Sequence, residues 1–425
     1  LRLTSGFAVI LLALSPALLI GSASAQPAIV NDPDFVVQKY VTGICCSITT
    51  IGFVGNSGDI LVLEKASGDV QLIRNGVLQP NPVLHENVDA VGEQGMLSIA
   101  TKGNKVYLYF TESDNTGKVA LGKRVYSYDW DPVAEKLVNR TLIKDLPQTQ
   151  TYHNGGAMTF DKNSTLYIVV GDAGRYGKLQ NHPTGEPDDT SVIMPLVPPG
   201  PYYAIGIRNS FGLTVDPVTG SLWDTENGNT CCDEVNMVPP KFNSGWDVIM
   251  GPANSTQIAS LPQFEDYVYH DPQFTWEQCV APTGIAFPTG APFSKYSSSV
   301  FVGGFNDGNL YRFELNSNRD GFVLNSPQFQ ASSPELHKGA SNSEIVFGSG
   351  FGGITDVKFG PDGFLYLVDL PDGTIYRILP ASMAGSDHVN ADPHTNNSYY
   401  IVIGAATGGA AAIIFYIVQK KKLSE

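Results

Sequence analysis

Gly58-Asp59-Ile60-Leu61-Val62-Leu63 runs through a polar turn into Gly68-Asp69-Val70-Gln71-Leu72-Ile73. Two short β-rich runs, bounded by Gly and Asp, predict an antiparallel hairpin. The pattern recurs. Lys105-Val106-Tyr107-Leu108-Tyr109-Phe110 leads to Arg124-Val125-Tyr126-Ser127-Tyr128, and Thr165-Leu166-Tyr167-Ile168-Val169-Val170 ends at Gly171-Asp172. Ser221-Leu222-Trp223 leads to Glu234-Val235-Asn236-Met237, and Val300-Phe301-Val302-Gly303 to Asn309-Leu310-Tyr311-Arg312-Phe313. The last copy joins Phe364-Leu365-Tyr366-Leu367-Val368 to Gly373-Thr374-Ile375-Tyr376-Arg377-Ile378. Copies spaced about 45 to 80 residues apart predict an all-β protein, a six-bladed β-propeller of four-stranded blades, because one such sheet cannot bury both faces alone. Ala157-Met158-Thr159-Phe160, Gly212-Leu213-Thr214-Val215 and Thr355-Asp356-Val357-Lys358-Phe359 read as inner strands. Phe35 to Val41 reads as the strand that closes the ring against the last blade.

The ends of the chain read differently from this body. Arg2, an apolar run over residues 7–20 and Ala23-Ser24-Ala25 form an export signal peptide over 1–25. Residues 26–380 hold the propeller and 381–398 a polar stalk. Residues 399–418 carry no charge and are long enough for one transmembrane helix. Lys420-Lys421-Lys422 follows, which assigns 419–425 to the cytoplasm. The expected location is therefore the cell membrane, single-pass, with the propeller on the extracytoplasmic side. The net charge of −15 excludes nucleic acid and anionic lipid as partners. The five cysteines, Cys45, Cys46, Cys231, Cys232 and Cys279, have no zinc-ligand spacing and predict one or two bridges between loops.

Polar residues gather beside the predicted strands. His153 stands in Tyr152-His153-Asn154-Gly155-Gly156, Arg208-Asn209 precedes an inner strand, and Glu226-Asn227-Gly228-Asn229 leads to Asp233-Glu234-Val235-Asn236. A His, an Arg-Asn pair and a Gly-rich carboxylate loop, each next to a strand, predict one polar site built from several loops.

In this order, the motifs resemble the soluble quinoprotein glucose/sorbosone dehydrogenase family. The likeness rests on Gly92-Glu93-Gln94-Gly95-Met96-Leu97, His153-Asn154-Gly155-Gly156, Gly206-Ile207-Arg208-Asn209, Asp233-Glu234-Val235-Asn236, Ser244-Gly245-Trp246, Ala281-Pro282-Thr283-Gly284 and Gly360-Pro361-Asp362-Gly363. It implies a propeller that uses pyrroloquinoline quinone (PQQ) and calcium to oxidise an aldose or related alcohol. It implies His153 as catalytic base toward the sugar hydroxyl, with hydride passing to the quinone. Arg208 and Asn209 then contact the quinone oxygens, and the carbonyls of Gly228 and Asn229 ligate calcium. Glu93 or Gln94 matches a family Gln beside the cofactor.

The departures from the family pattern concern charge. A cofactor-binding Lys falls at Asn306, and an Arg-x-Arg pair falls at Gly353-Ile354-Thr355. PQQ carries three carboxylates, and each lost charge-assisted hydrogen bond costs roughly 1.5–3 kcal/mol. Arg175 and Lys178 are the nearest replacement cations in the sequence. Three functions follow. The first is a membrane-tethered sugar oxidoreductase with an unidentified electron acceptor. The second is a non-catalytic propeller that binds a glycan, protein or metal ion, and the third a calcium-dependent hydrolase.

Overall fold

The computed structural model describes residues 27–55, 58–117, 119–147, 150–230 and 232–384. The signal segment 1–25, nearly all of the stalk, the apolar stretch 399–418 and the tail 419–425 lie outside the described residues. Among those described, no helix is long and apolar enough to cross a membrane.

Six sheets follow one another along the chain. Their innermost strands are Ile48–Val54, Met96–Lys102, Met158–Phe160, Ser210–Val215, Pro282–Ala286 and Ile354–Phe359. Each touches the next, and Ile354–Phe359 touches Ile48–Val54, so the inner strands form a closed circle. This is an all-β propeller. The hairpins read from sequence are present: Asp59–Glu64 pairs with Asp69–Arg74, Ser299–Gly304 with Leu310–Glu314, and Leu365–Asp369 with Thr374–Pro380. Phe35–Val41 pairs antiparallel with Thr374–Pro380, which adds the strand nearest the N-terminus to the last sheet.

The expected uniform count of four strands does not hold. The second and last sheets have four, whereas the third has six and the fourth and fifth have five each. The surplus comes from two-residue strands in connecting segments. Phe242–Asn243 and Val268–Tyr269 extend the third sheet, Glu335–Leu336 the fourth and Ile29–Val30 the fifth. Such pieces are too short to show a period-two pattern in sequence.

The middle strands are buried on both faces because adjacent sheets pack against each other. All six residues of Asp59–Glu64 are buried, which explains the unbroken Ile60-Leu61-Val62-Leu63 run. Leu61, Val70 and Leu72 share one apolar cluster with Leu108, Phe110 and Trp130 of the second sheet. Phe301 and Leu310 share another with Leu367 and Ile378 of the last.

The cysteines correct a second expectation. Cys45 and Cys46 are bonded to each other. This disulfide joins chain neighbours rather than two loops. Cys232 is also disulfide-bonded, and Cys279 is a free thiol.

Candidate active site

The inner strands all run in one direction from the same end of the channel. The loops that precede them therefore converge there, and with them the polar residues picked out in the sequence. A cavity of about 730 Å³ opens at this end, lined by His153, Arg208, Asn209, Glu93, Asn306 and Thr355 among others.

His153 sits in the loop before Met158–Phe160 with a left-handed backbone, φ 56°. Of the two glycines after it, Gly155 lies against the backbone of Val169, Gly171 and Ser210, and Gly156 lets the loop pass closely over the second sheet. A Cβ on Gly156 would lie 2.2 Å from the ring of Tyr109, so no other residue fits. His153 Nδ1 lies 2.8 Å from Asp172 Oδ1. The other Asp172 oxygen accepts from Trp246 Nε1 at 2.7 Å. Arg208 Nη2 lies 2.9 Å from His153 Nε2. A guanidinium only donates, so Nε2 is the acceptor and Nδ1 carries the hydrogen given to Asp172. The imidazole is thereby fixed in one tautomer with its lone pair on the cavity side.

Arg208 is held on several sides. Its Nη1 donates to the carbonyls of Asn227 and Gly228, both at 2.7 Å, and its backbone N–H donates to Glu226 at 2.6 Å. Its guanidinium also stands over the Trp246 ring at 5.2 Å. Burial pulls the Arg208 guanidinium below the ordinary arginine range, while Asp172, Glu226 and Glu93 act in the opposite direction. Asn209 Nδ2 donates to Glu93 Oε2 at 3.3 Å, and the same carboxylate oxygen accepts from the His153 N–H at 2.7 Å. Asp233 accepts from the N–H groups of Gly228 and Ala281, each at 2.8 Å. Burial pushes the Asp233 carboxyl up to about 6.

Behind Arg208 lie three fully buried acids. Burial pushes Glu226 up to about 7, and burial together with the Glu226 charge raises Asp224 and Glu234. Neither oxygen of Asp224 has a clear hydrogen-bond partner among the described residues.

The structure separates the residues grouped in the sequence. Glu93 faces the cavity, whereas Gln94 is fully buried outside it with no side-chain partner among the described residues. Asn306 lines the cavity and donates to the Cys279 carbonyl at 3.2 Å. Thr355 lies on the wall, with its hydroxyl 3.4 Å from the Ile48 carbonyl. Asn229 also lines the cavity, but the Gly228 carbonyl is already bonded to Arg208. Arg175 pairs with Asp188 at 2.7 Å, and neither it nor Lys178 lines the cavity.

Two cations in the cavity escaped the sequence reading. Lys65 donates to the carbonyls of Ala90 and Gly92 at 3.1 and 2.9 Å, and burial lowers it to about 8. Lys358 pairs with Asp356 at 3.0 Å. Asp172 was also missed, although the hairpin offered a signal. Leu166–Val170 runs back antiparallel to Met158–Phe160, so the residues after it return beside those that precede Met158.

The chain is thus an all-β propeller with a polar His-Arg-Asn cavity in its channel. The chain belongs to the glucose/sorbosone dehydrogenase family, whose model matches residues 49–377. Aldose sugar dehydrogenase YliI of Escherichia coli (strain K12) is 26% identical over 321 residues, 69% of this chain and 79% of that one. The crystal structure of the soluble aldose sugar dehydrogenase from Escherichia coli in the apo-form aligns with a TM-score of 0.63 at 20% identity. It covers 81% of this chain and 99% of that one. The PQQ-bound aldose sugar dehydrogenase from Streptomyces coelicolor gives 0.61 at 21% identity, over 81% of this chain and 98% of that one. These likenesses show the fold. Family membership supports an oxidoreductase role.

Proposed function

We propose that the cavity oxidises a sugar or related alcohol, with His153 taking the hydroxyl proton. The Asp172–His153 pair carries this reading: it orients an acceptor nitrogen toward the cavity, 2.9 Å from a cation that a substrate oxygen can also reach. As hydride leaves the carbon, charge develops on the electron acceptor, and Arg208 and Asn209 are the donors placed to stabilise it. We read each of the six sheets as one blade of the ring. We also read 399–418 as a membrane span that holds the ring on the extracytoplasmic side.

The family's cofactor fits this cavity only in part. PQQ supplies an electron-accepting dicarbonyl, and Arg208 with Asn209 suits that edge. Among the described residues that line the cavity, Lys65 and Lys358 are already paired and Arg208 faces the dicarbonyl edge, which leaves the carboxylates no further cation. Asn306 and Thr355 are neutral, and any side chain on Gly353 would press on Phe305 at 3.0 Å and Pro371 at 3.1 Å. No step is therefore routed through PQQ. Calcium fits no better at Gly228, whose carbonyl is taken by a guanidinium. The described residues offer one cluster of three possible metal-ligating side chains, Cys45, Cys46 and Glu64, and its two sulfurs are bonded to each other.

One observation favours the second reading, a non-catalytic propeller: the His153 acceptor nitrogen is already engaged by Arg208. Dye-coupled oxidation of an aldose panel by the full chain and by His153→Ala separates the two. A base of this kind contributes about 10²–10⁴-fold. Loss on that scale supports the oxidoreductase; equal rates in both proteins refute His153 as base.

A further inference from the structure

The charged side chains that line the cavity are Lys65, Arg208 and Lys358, with Glu93, Asp233 and Asp356. Three cations face three anions, and each is already held by partners, although the Arg208 Nε–H has none among the described residues. Lys65 is bound by two backbone carbonyls, and Arg208 by two more and by His153. Lys358 is held by Asp356 and by the Thr50 hydroxyl at 2.9 Å. Glu93 binds the His153 N–H and the Asn209 amide, and Asp233 binds two backbone N–H groups. A polycarboxylate entering this space would meet three acids, would find one guanidinium with a donor to spare, and would have to break an existing pairing to gain Lys65 or Lys358. The upper wall at Phe305 and Leu370 and the deeper wall at Leu213, Val215, Ile285 and Phe287 are apolar. This lining suits a flat, uncharged ring with hydrogen-bond acceptors at one edge.

We infer that the electron acceptor of this cavity is a quinone without carboxylates, its carbonyl edge at Arg208 and Asn209 and its ring against the apolar wall. The inference rests on the oxidoreductase reading above. In the reaction the hemiacetal carbon of the sugar gives its C–H as hydride, two electrons, to the quinone. The hydroxyl proton goes to His153, and the sugar leaves as a lactone. The reduced quinone takes that proton from His153 and leaves as the hydroquinone, so two hydrogens leave the sugar, two arrive, and His153 is restored.

The test is calorimetric titration of the full chain in detergent, with calcium present, against duroquinone and against PQQ. Duroquinone is uncharged and has no open ring position for the Cys279 thiol to attack. We expect saturable binding of duroquinone and affinity for PQQ at least about 100-fold weaker, since each missing charge-assisted hydrogen bond costs roughly tenfold or more. The Asn306→Lys, Thr355→Arg double variant should gain tenfold or more for PQQ. Equal or tighter binding of PQQ by the unmodified chain overturns the inference, as does a chain that binds neither quinone. The two readings fail separately. Saturable duroquinone binding without duroquinone-dependent sugar oxidation sinks the oxidoreductase and leaves the ligand preference standing. Sugar oxidation that requires PQQ does the reverse.

Discussion

Arg208 and His153 meet nitrogen to nitrogen, Nη2 to Nε2 at 2.9 Å, although 55 residues separate them in the chain. The contact makes the imidazole an acceptor at the cavity. It works only while Asp172 holds the hydrogen on Nδ1. Asp172→Asn presents an amide N–H to Nδ1, drives the ring hydrogen to Nε2 and turns it against the guanidinium. We expect kcat for sugar oxidation to fall about 10²-fold or more with little change in melting temperature. A pH–rate profile beside a thermal melt checks this; a variant that keeps the original rate refutes the assigned tautomer.

Arg208 also ties the Asn227–Gly228 turn to the histidine loop. Arg208→Met strips two buried carbonyls of their donor, a loss of about 2 kcal/mol or more. Arg208→Lys restores charge without the planar fork and should recover only part of it. Denaturant unfolding of the three proteins gives the order arginine, lysine, methionine; a methionine variant as stable as the parent contradicts it.

The buried acids make stability depend on pH. Glu226 is raised from 4.5 to about 7 in the fold, so between those values the folded chain binds more protons than the unfolded one. Stability therefore falls as pH rises through this window, the ionised carboxylate being costly to bury. Asp224 and Glu234 are displaced in the same direction. Glu226→Gln keeps an acceptor for the Arg208 N–H and removes one titration, so its stability should decline less from pH 5 to pH 7. Melting curves across that range provide the check, and parallel slopes for the two proteins would falsify the assignment.

Gly156 faces a steric limit. With φ 109° and the Tyr109 ring in the way, Gly156→Ala should cost about 3 kcal/mol or more. A soluble variant with an unchanged melting temperature would show that the loop lies elsewhere.

The Cys45–Cys46 bond closes almost no chain, since its partners are adjacent. In the loop-entropy account it stabilises by about 1 kcal/mol at most. Cys45→Ser with Cys46→Ser should leave the midpoint of denaturant unfolding nearly where it was; a large drop would assign the pair a structural load that its spacing does not suggest.

Hairpins were readable because their strands carry a local signal, apolar runs punctuated by Gly and Asp, as at Asp59–Glu64 and Asp69–Arg74. Three of the six inner strands, Met158–Phe160, Ser210–Val215 and Ile354–Phe359, followed from their place before those hairpins. Ile29–Val30 and Glu335–Leu336 were not readable, because two residues have no periodicity and owe their pairing to neighbours far along the chain. Motifs located His153, Arg208 and Asn209, and the structure brings all three to one cavity. Choosing between Glu93 and Gln94 required the side-chain direction at a loop, which no pattern supplied. Arg175 and Lys178 were the nearest cations in sequence, yet Lys65 and Lys358 reach the cavity, because a ring places together residues from its first and last sheets.

The last sheet, formed by Phe35–Val41, Thr374–Pro380, Leu365–Asp369 and Ile354–Phe359, fixes where the described chain leaves the ring. Its inner strand begins at the cavity, and successive strands alternate in direction. Phe35 and Pro380, paired at the edge of that sheet, therefore lie on the face opposite the cavity mouth. The last described strand therefore hands the chain on at the underside, whereas Ile29–Val30, paired with Val346–Ser349 of the fifth sheet, begins toward the cavity mouth. Anything joined after Pro380 starts on the side away from the opening.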